Sequence, residues 1–157
     1  MDTQKEFFMR EAIQEAKISY RQEDVPIGAV LVLNGQIIGR GHNQKERTNN
    51  PLKHAEIMAI EEGVQTLDSY HLEDCILYVT LEPCLMCVGA LINARVGHLV
   101  FGAYNHRFGA VHSHVKLLDE GGFNHQTTYE GGILEKECSA LLSSFFRELR
   151  EQKNTKK

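Results

Sequence analysis

Two short segments of the 157-residue chain hold side chains able to do chemistry: His54-Ala55-Glu56, and Pro83-Cys84-Leu85-Met86-Cys87 about 30 residues later. Cys84 and Cys87 are three residues apart at the expected start of a helix, which puts their side chains on one face. Thiolates there are favoured by unpaired amides and the positive end of the helix dipole. One imidazole added to two thiolates makes a three-ligand zinc site of His54, Cys84 and Cys87. Structural zinc normally takes four protein ligands, so three leave a position for water, the arrangement of a catalytic site. The two thiolates cancel the metal's charge, yet the metal still lowers the pKa of its water from about 15.7 towards neutrality.

Glu56 is the other half of the reading. Two residues along a regular helix amount to roughly 200° of rotation, which would aim Glu56 away from His54. The helix is therefore expected to begin near His54, so that first-turn geometry lets both side chains approach the metal. Glu56 then stands beside the water rather than on zinc. As the catalytic residue it takes the water's proton and passes it to substrate, a role worth on the order of 100–10,000-fold in rate. CxxC alone also serves redox dithiols and half-sites of structural zinc, and a redox pair would, like Cys84, follow a strand. HxE followed by PCxxC, each opening a helix, favours catalytic zinc over both.

The elements that must hold these residues are legible in the hydrophobic pattern. Thr3 with Glu6 reads as a capping box, and Phe8, Met9, Ala12, Ile13 and Ala16 form the stripe of an opening helix to about Tyr20. The run from Ile27 to Asn43 is a hairpin around Asn34-Gly35. Asn49-Asn50-Pro51 marks a loop into the helix carrying HAEIMAIEEG. Cys75–Leu81 is apolar enough for a strand buried on both faces, Pro83 opens the next helix, and HLVFGAY returns as a second such strand. Strand, helix and strand over that distance form a βαβ unit with parallel strands. A short helical segment, VKLLDEGG, follows, and Leu134, Cys138, Leu141, Leu142, Phe145 and Leu149 stripe a final helix. The expected fold is α/β: three layers, α/β/α, around a mixed sheet of about five strands.

Composition bounds the function. The chain is 42% hydrophobic and 24% charged, as one ordinary soluble domain spanning residues 1–157, with a basic C-terminal tail from about residue 150. Seventeen Lys and Arg against 21 Asp and Glu give a net charge of -4, which excludes a nonspecific polyanion binder. No apolar run is long enough to span a membrane, and the charged start is unlike a signal peptide. Four cysteines without an export signal point to a reducing cytoplasm, with Cys75 and Cys138 as core thiols.

At its two segments the chain resembles the zinc-dependent nucleoside and nucleobase deaminases, for which H-x-E followed by P-C-x-x-C is an already recognised signature. It is most similar to the bacterial tRNA-specific adenosine deaminases (TadA type). HAEIMA at 54–59, TLEPCLMC at 80–87, GALINAR at 89–95 and VFGA at 100–103 carry the likeness. So do PIGAVLV at 26–32, GHN at 41–43 and GILEKECSALLSSFFR at 132–147. The resemblance implies a cytidine deaminase-like fold, a cytoplasmic homodimer, one zinc ion per subunit and no organic cofactor. It implies hydrolytic conversion of the wobble adenosine to inosine in a tRNA anticodon loop, usually of an arginine tRNA. Water activated by zinc would attack C6 of a flipped-out adenine, with Glu56 protonating N1 and assisting ammonia departure. Val25, Pro26 and Ile27 would wall the base and Asn43 would bond its edge. A zinc deaminase of a free base or nucleoside, cytosine or guanine type, is the first alternative. A non-catalytic zinc-containing RNA-binding protein is the second.

Two local features bear on an RNA partner. Arg40, Lys45, Arg47 and Lys53 against Glu46 form a locally basic strip ahead of the first segment, and Arg147, Arg150, Lys153, Lys156 and Lys157 against Glu148 and Glu151 a basic end, so local charge can track phosphates on an acidic molecule. The loop after VFGA carries Asn105 where members of the resembled branch often have an acidic residue. Asn105 is expected to contact substrate with less selectivity for RNA over DNA than an aspartate. His112 and His114 are read as loop residues and Phe146 as either packing or an anticodon contact, while His42 and His125 stay open.

Overall fold

In the computed structural model, which describes residues 3–155, Asn34 and Gly35 both take positive φ (51° and 78°), as a tight Asn-Gly hairpin requires. β1 (Gly28–Leu33) and β2 (Gln36–His42) fold back antiparallel across this turn, with a bulge between Leu31 and Val32. β3 (Cys75–Leu81) pairs antiparallel with the other edge of β1 and parallel with β4 (His98–Ala103). β5 (Thr128–Glu130) joins β4 in parallel, and the strand order is β2-β1-β3-β4-β5. The five-stranded mixed sheet is the expected one. Its fifth strand is too short, at three residues, to show a periodic pattern.

Helices cover both faces. α1 (Thr3–Arg21) and α5 (Glu135–Thr155) pack on one side, where Phe8, Met9 and Cys138 meet Val30, Tyr78 and Val100. α3 (Ala55–Leu67) and α4 (Leu85–Asn93) cover the other, where Ala59, Val88 and Leu91 meet Leu31, Leu77 and Phe101. Successive residues of β1 and β3 thus enter opposite cores, which is why these strands carry no polar alternation. Each fully buried large side chain among them contributes about 1.5–3 kcal/mol.

Several boundaries differ from the expectation. Thr3 is itself helical, so it does not hold the flanking position of a capping box. A one-turn helix, α2 (Lys45–Thr48), precedes the Asn49-Asn50 loop. α4 begins at Leu85 with Cys84 as its cap, two residues later than Pro83. VKLLDEGG yields only a 3-10 turn over Leu117–Asp119. Leu134 sits at φ 54° just before α5 yet packs against the core, Cys138 and Phe145 are buried, and Leu149 is exposed, so the stripe loses its packing toward the C-terminal end. Residues 150–155 continue α5 as an exposed helix instead of a tail; Lys156 and Lys157 lie outside the described residues. Among the described residues no helix is long and apolar enough to cross a membrane.

The strand directions decide where chemistry can sit. β3 and β4 run parallel and β1 runs against β3, so the ends of β2, β3 and β4 and the start of β1 share one edge of the sheet. Val25–Ile27, Asn43, Glu82–Cys84 and Asn105 are the residues next to those four ends. Binding sites of open α/β sheets form at such carboxyl ends. α3 reaches this edge by lying directly on the backbone of β2. A Cβ on Gly41 would fall 2.1 Å from the Ala55 carbonyl oxygen, and one on Gly39 2.2 Å from that of Ala59. Gly41→Ala should therefore lift the start of α3 and destabilise the fold by about 1–3 kcal/mol, measurable by denaturant unfolding.

Candidate metal centre and active site

The site is assembled from the beginnings of two helices. His54 caps α3 in an extended conformation (φ -85°, ψ 150°), with Glu56 in the first turn. Cys84 caps α4 in the same way (φ -78°, ψ 177°), with Cys87 one turn in and fully buried. An extended cap breaks the 100° step of the helix, so His54 and Glu56, two residues apart, approach one place. The Nδ1 atom of His54 lies 3.7 Å from Cys84 Sγ and 3.5 Å from Cys87 Sγ, and the three ligand atoms are all within 4.8 Å of one another. Tetrahedral zinc with its usual bond lengths separates nitrogen and sulfur ligands by about 3.6 Å, so this donor set fits zinc in kind and in spacing. Glu56 is outside the set and against it, interacting with the Cys87 thiol.

The protons in this cluster are shared. The Cys84 thiol is pushed down to about 4, first by the Cys87 thiol donating to it and then by His54, against the effect of burial. Cys87 is raised by that same bond to Cys84 and by burial, and His54 is raised by its bond to Cys84. Burial pushes the Glu56 carboxyl up to about 7. A divalent cation replaces such shared protons when it binds thiolates and imidazole.

Asn43 links the metal end of α3 to the sheet. The His54 ring makes no capping hydrogen bond, and the first free amide of α3, that of Ala55, donates instead to Asn43 Oδ1 at 3.0 Å. The Asn43 amide donates to Ile27 O at 3.1 Å, and its carbonyl accepts from Ser19 Oγ at 2.7 Å. With Oδ1 committed, the donors on Nδ2 remain for a ligand. Ile27 is half-buried and Pro26 buried beside it. Val25 is fixed by the fully buried Asp24, whose carboxylate accepts from the Val25 amide and, at 2.9 Å, from the Glu46 amide at the start of α2.

Asn105 reaches the same edge from β4. Its side-chain oxygen accepts from the Phe108 amide at 3.1 Å, closing a tight turn, and its amide donates to Glu82 Oε1. Sequence reasoning assigns Glu82 no role, and its one signal is a carboxylate at the end of an apolar strand. It is 1% exposed and accepts from five donors, and those bonds, led by the Ser113 hydroxyl, hold it below the usual carboxylate range despite burial.

Other residues fall outside the site. Arg40 is not part of a free basic strip: it pairs with Glu11 at 2.7 Å and Glu15 at 3.4 Å. Cys75 and Cys138 are buried thiols raised by burial to about 11 and 12. His42 is placed between Glu15 and Gln44, and His125 contacts the Val96 carbonyl. His112 lies edge-on to Tyr104, and neither it nor His114 joins a metal-ligating group among the described residues.

Residues 2–103 match the family model of the cytidine and deoxycytidylate deaminase zinc-binding region. The chain is 49% identical over 151 residues to the tRNA-specific adenosine deaminase of Bacillus subtilis, covering 96% of this chain and 94% of that one. It belongs to the cytidine and deoxycytidylate deaminase family. Within this family it falls in the tRNA-specific adenosine deaminase branch. A relative of that description from Streptococcus pyogenes serotype M1 is 43% identical over 96% of the chain and 88% of its own length. A solved structure from a study of A-to-I editing by tRNA:A34 deaminases at the wobble position superposes with a TM-score of 0.83 at 38% identity, over 87% of this chain and 99% of that one.

In this deaminase fold the Asn43 cap is a stability element as well as a donor. Asn43→Ala should cost about 1 kcal/mol, as for loss of a helix cap, while Asn43→Asp, which keeps the acceptor for Ala55, should recover most of that in thermal unfolding.

Proposed function

We propose that this chain hydrolytically deaminates adenosine to inosine at the wobble position of a tRNA anticodon loop. The observation that carries the reading is a buried carboxyl, Glu56, set against but outside a His54, Cys84, Cys87 ligand group of zinc-like spacing. Similarity over almost the whole length to tRNA-specific adenosine deaminases supports the substrate. The working form is a cytoplasmic homodimer of single-domain subunits, each with one zinc ion and no organic cofactor, acting on an arginine tRNA.

His54, Cys84 and Cys87 hold the metal, which when bound supplies a water activated at neutral pH. Glu56 takes the proton of that water, delivers it to N1 of the adenine, and serves again as ammonia leaves from C6. Burial that raises Glu56 suits a group that must both accept and return a proton. Asn43 donates from Nδ2 to the edge of the base, and Val25, Pro26 and Ile27 wall its face and exclude water. An anticodon nucleotide is already poorly stacked, so extruding it costs less than flipping a base from a duplex. Asn105 contacts the nucleotide sugar or backbone beside the site.

A groove beside the 25–27 segment bears on an RNA substrate through its rings more than through its charge. α1, α2 and α5 enclose an open groove of about 770 Å³ that Val25 lines, with the rings of Tyr20 and Phe145, the cations Arg21, Arg47 and Lys153, and the carboxylates Glu23, Glu46 and Glu148 in equal number. Cations for phosphates and rings for unstacked bases are what a single-stranded loop requires. The two basic segments, distant in sequence, meet here.

Glu56→Gln should keep zinc, by metal analysis, and keep binding an anticodon stem–loop, while inosine formation falls at least 100-fold or so by mass analysis of the RNA. Undiminished turnover would overturn the proton-transfer role. Wild-type protein should act on the stem–loop and leave free adenine, cytosine and guanine unchanged; the reverse preference identifies a free-base deaminase. Asn105→Asp should raise the ratio of RNA to DNA hairpin turnover, and an unchanged ratio removes Asn105 from substrate selection.

A further inference from the structure

The geometry points to Glu82 as a positioning residue that holds the 105–113 loop rigid beside the metal centre and so sets how substrate is gripped. This inference rests on the proposed RNA substrate. Glu82 lies between the end of β3 and Cys84, and it has no role in the ligand group or in proton transfer. Its carboxylate is nevertheless the most heavily bonded side chain at this edge of the sheet. Oε2 accepts the successive amides of Val111, His112 and Ser113 at 3.1, 2.8 and 2.9 Å. Oε1 accepts the Asn105 amide at 3.1 Å and the Ser113 hydroxyl. Consecutive amides converging on one anion form a nest, here filled by the chain's own carboxylate.

One carboxylate therefore ties both ends of a single loop. Asn105 opens it and Ser113 closes it, and both are bonded to the same oxygen. The neighbouring residue adds a further tie, the Ala110 amide donating to Pro83 O at 2.9 Å. The loop can approach this closely only because residue 109 is glycine: a Cβ there would lie 2.4 Å from the Glu82 carboxylate. What the ties leave free is the tip. His106, Arg107 and Phe108 are exposed, Phe108 by 61%, with the Arg107 guanidinium 5.2 Å from the centre of the Phe108 ring. A cation stacked on an exposed ring, one turn from Asn105, is suited to a phosphate and an unstacked base.

Ordering this tip before substrate arrives lowers the entropy lost on binding, so slackening it weakens binding more than chemistry. Kinetics on an anticodon stem–loop test this with Glu82→Gln, and with Gly109→Ala as a second route to the same contact should Glu82→Gln fold poorly. Each should raise KM about ten-fold with kcat held within about three-fold and zinc content unchanged. In an Arg107→Ala/Phe108→Ala background, where the tip has lost its cation and ring and only the Asn105 contact remains, either change should raise KM by less than about half as many fold as in the parent. An equal KM penalty in both backgrounds, or a fall in kcat at constant KM, overturns the inference. Amide exchange tests the tie without substrate: protection of Val111, His112 and Ser113 should fall in Glu82→Gln, and unchanged protection overturns it. If wild-type protein leaves adenosine in the stem–loop intact, the substrate reading fails, and the exchange result still decides whether Glu82 holds the loop.

Discussion

Two helices start at one point, and the site depends on that coincidence. The residue capping each, His54 and Cys84, is extended, and the helices then carry Glu56 and Cys87 back toward the same spot. Two thiol groups and a carboxyl crowded together in a buried place would repel one another as anions. The positive ends of two helix dipoles counter that repulsion, as a bound divalent cation would. The same geometry removes a normal resource of a helix start. An imidazole turned to the Cys84 and Cys87 sulfurs does not cap its own helix, so the cap of α3 comes from Asn43, at the end of a different element.

Burying polar groups is costly unless each is bonded, and this chain concentrates that cost at one edge. Seven polar or charged residues are buried among the described residues: Ser19, Asp24, Asn43, Glu56, Thr80, Glu82 and Thr127. All but Thr127 stand at the site edge of the sheet or hold a residue that does, as Thr80 Oγ1 accepts the Gly28 amide that follows the 25–27 wall. Both faces are apolar, and at the opposite end the buried Thr127 is bonded to the Val96 carbonyl. A sheet buried on two sides supplies the stability that lets one edge be built from strained chemical company, with loops fixed by side chains instead of strand pairing.

How much of this was legible in the sequence follows from how local each signal is. The Asn34-Gly35 hairpin, the doubly buried Cys75–Leu81 strand and the helix starts at His54 and Cys84 are each written in consecutive residues, and they place the ligand group without any knowledge of long-range contacts. The three-residue β5 has no period to read, and its pairing with β4 is decided by the sheet. The stripe on α5 is real as a pattern but loses contact by Leu149, since periodicity reports which face would pack and not how far a partner extends. Glu82 was least legible. A carboxylate at the end of an apolar strand can be a solvated boundary or a buried anchor, and only the fold back of residues 105–113 distinguishes the two.

The electrostatics show the same limit more sharply. Net charge and runs of basic residues treat every side chain as available, yet Arg40 is consumed by Glu11 and Glu15 on α1 and serves to hold β2 against that helix. The remaining cations gain what a linear count cannot show, a common surface, which they share with Glu23, Glu46 and Glu148. Arg47 and Lys153, 106 positions apart (153 minus 47), line one groove with two aromatic rings. Field strength at a surface depends on such convergence and falls off within about 10 Å in salt. An acidic chain therefore offers a nucleic acid only the few cations its fold gathers, and in this groove Glu23, Glu46 and Glu148 balance them, so the rings of Tyr20 and Phe145 are its distinguishing feature.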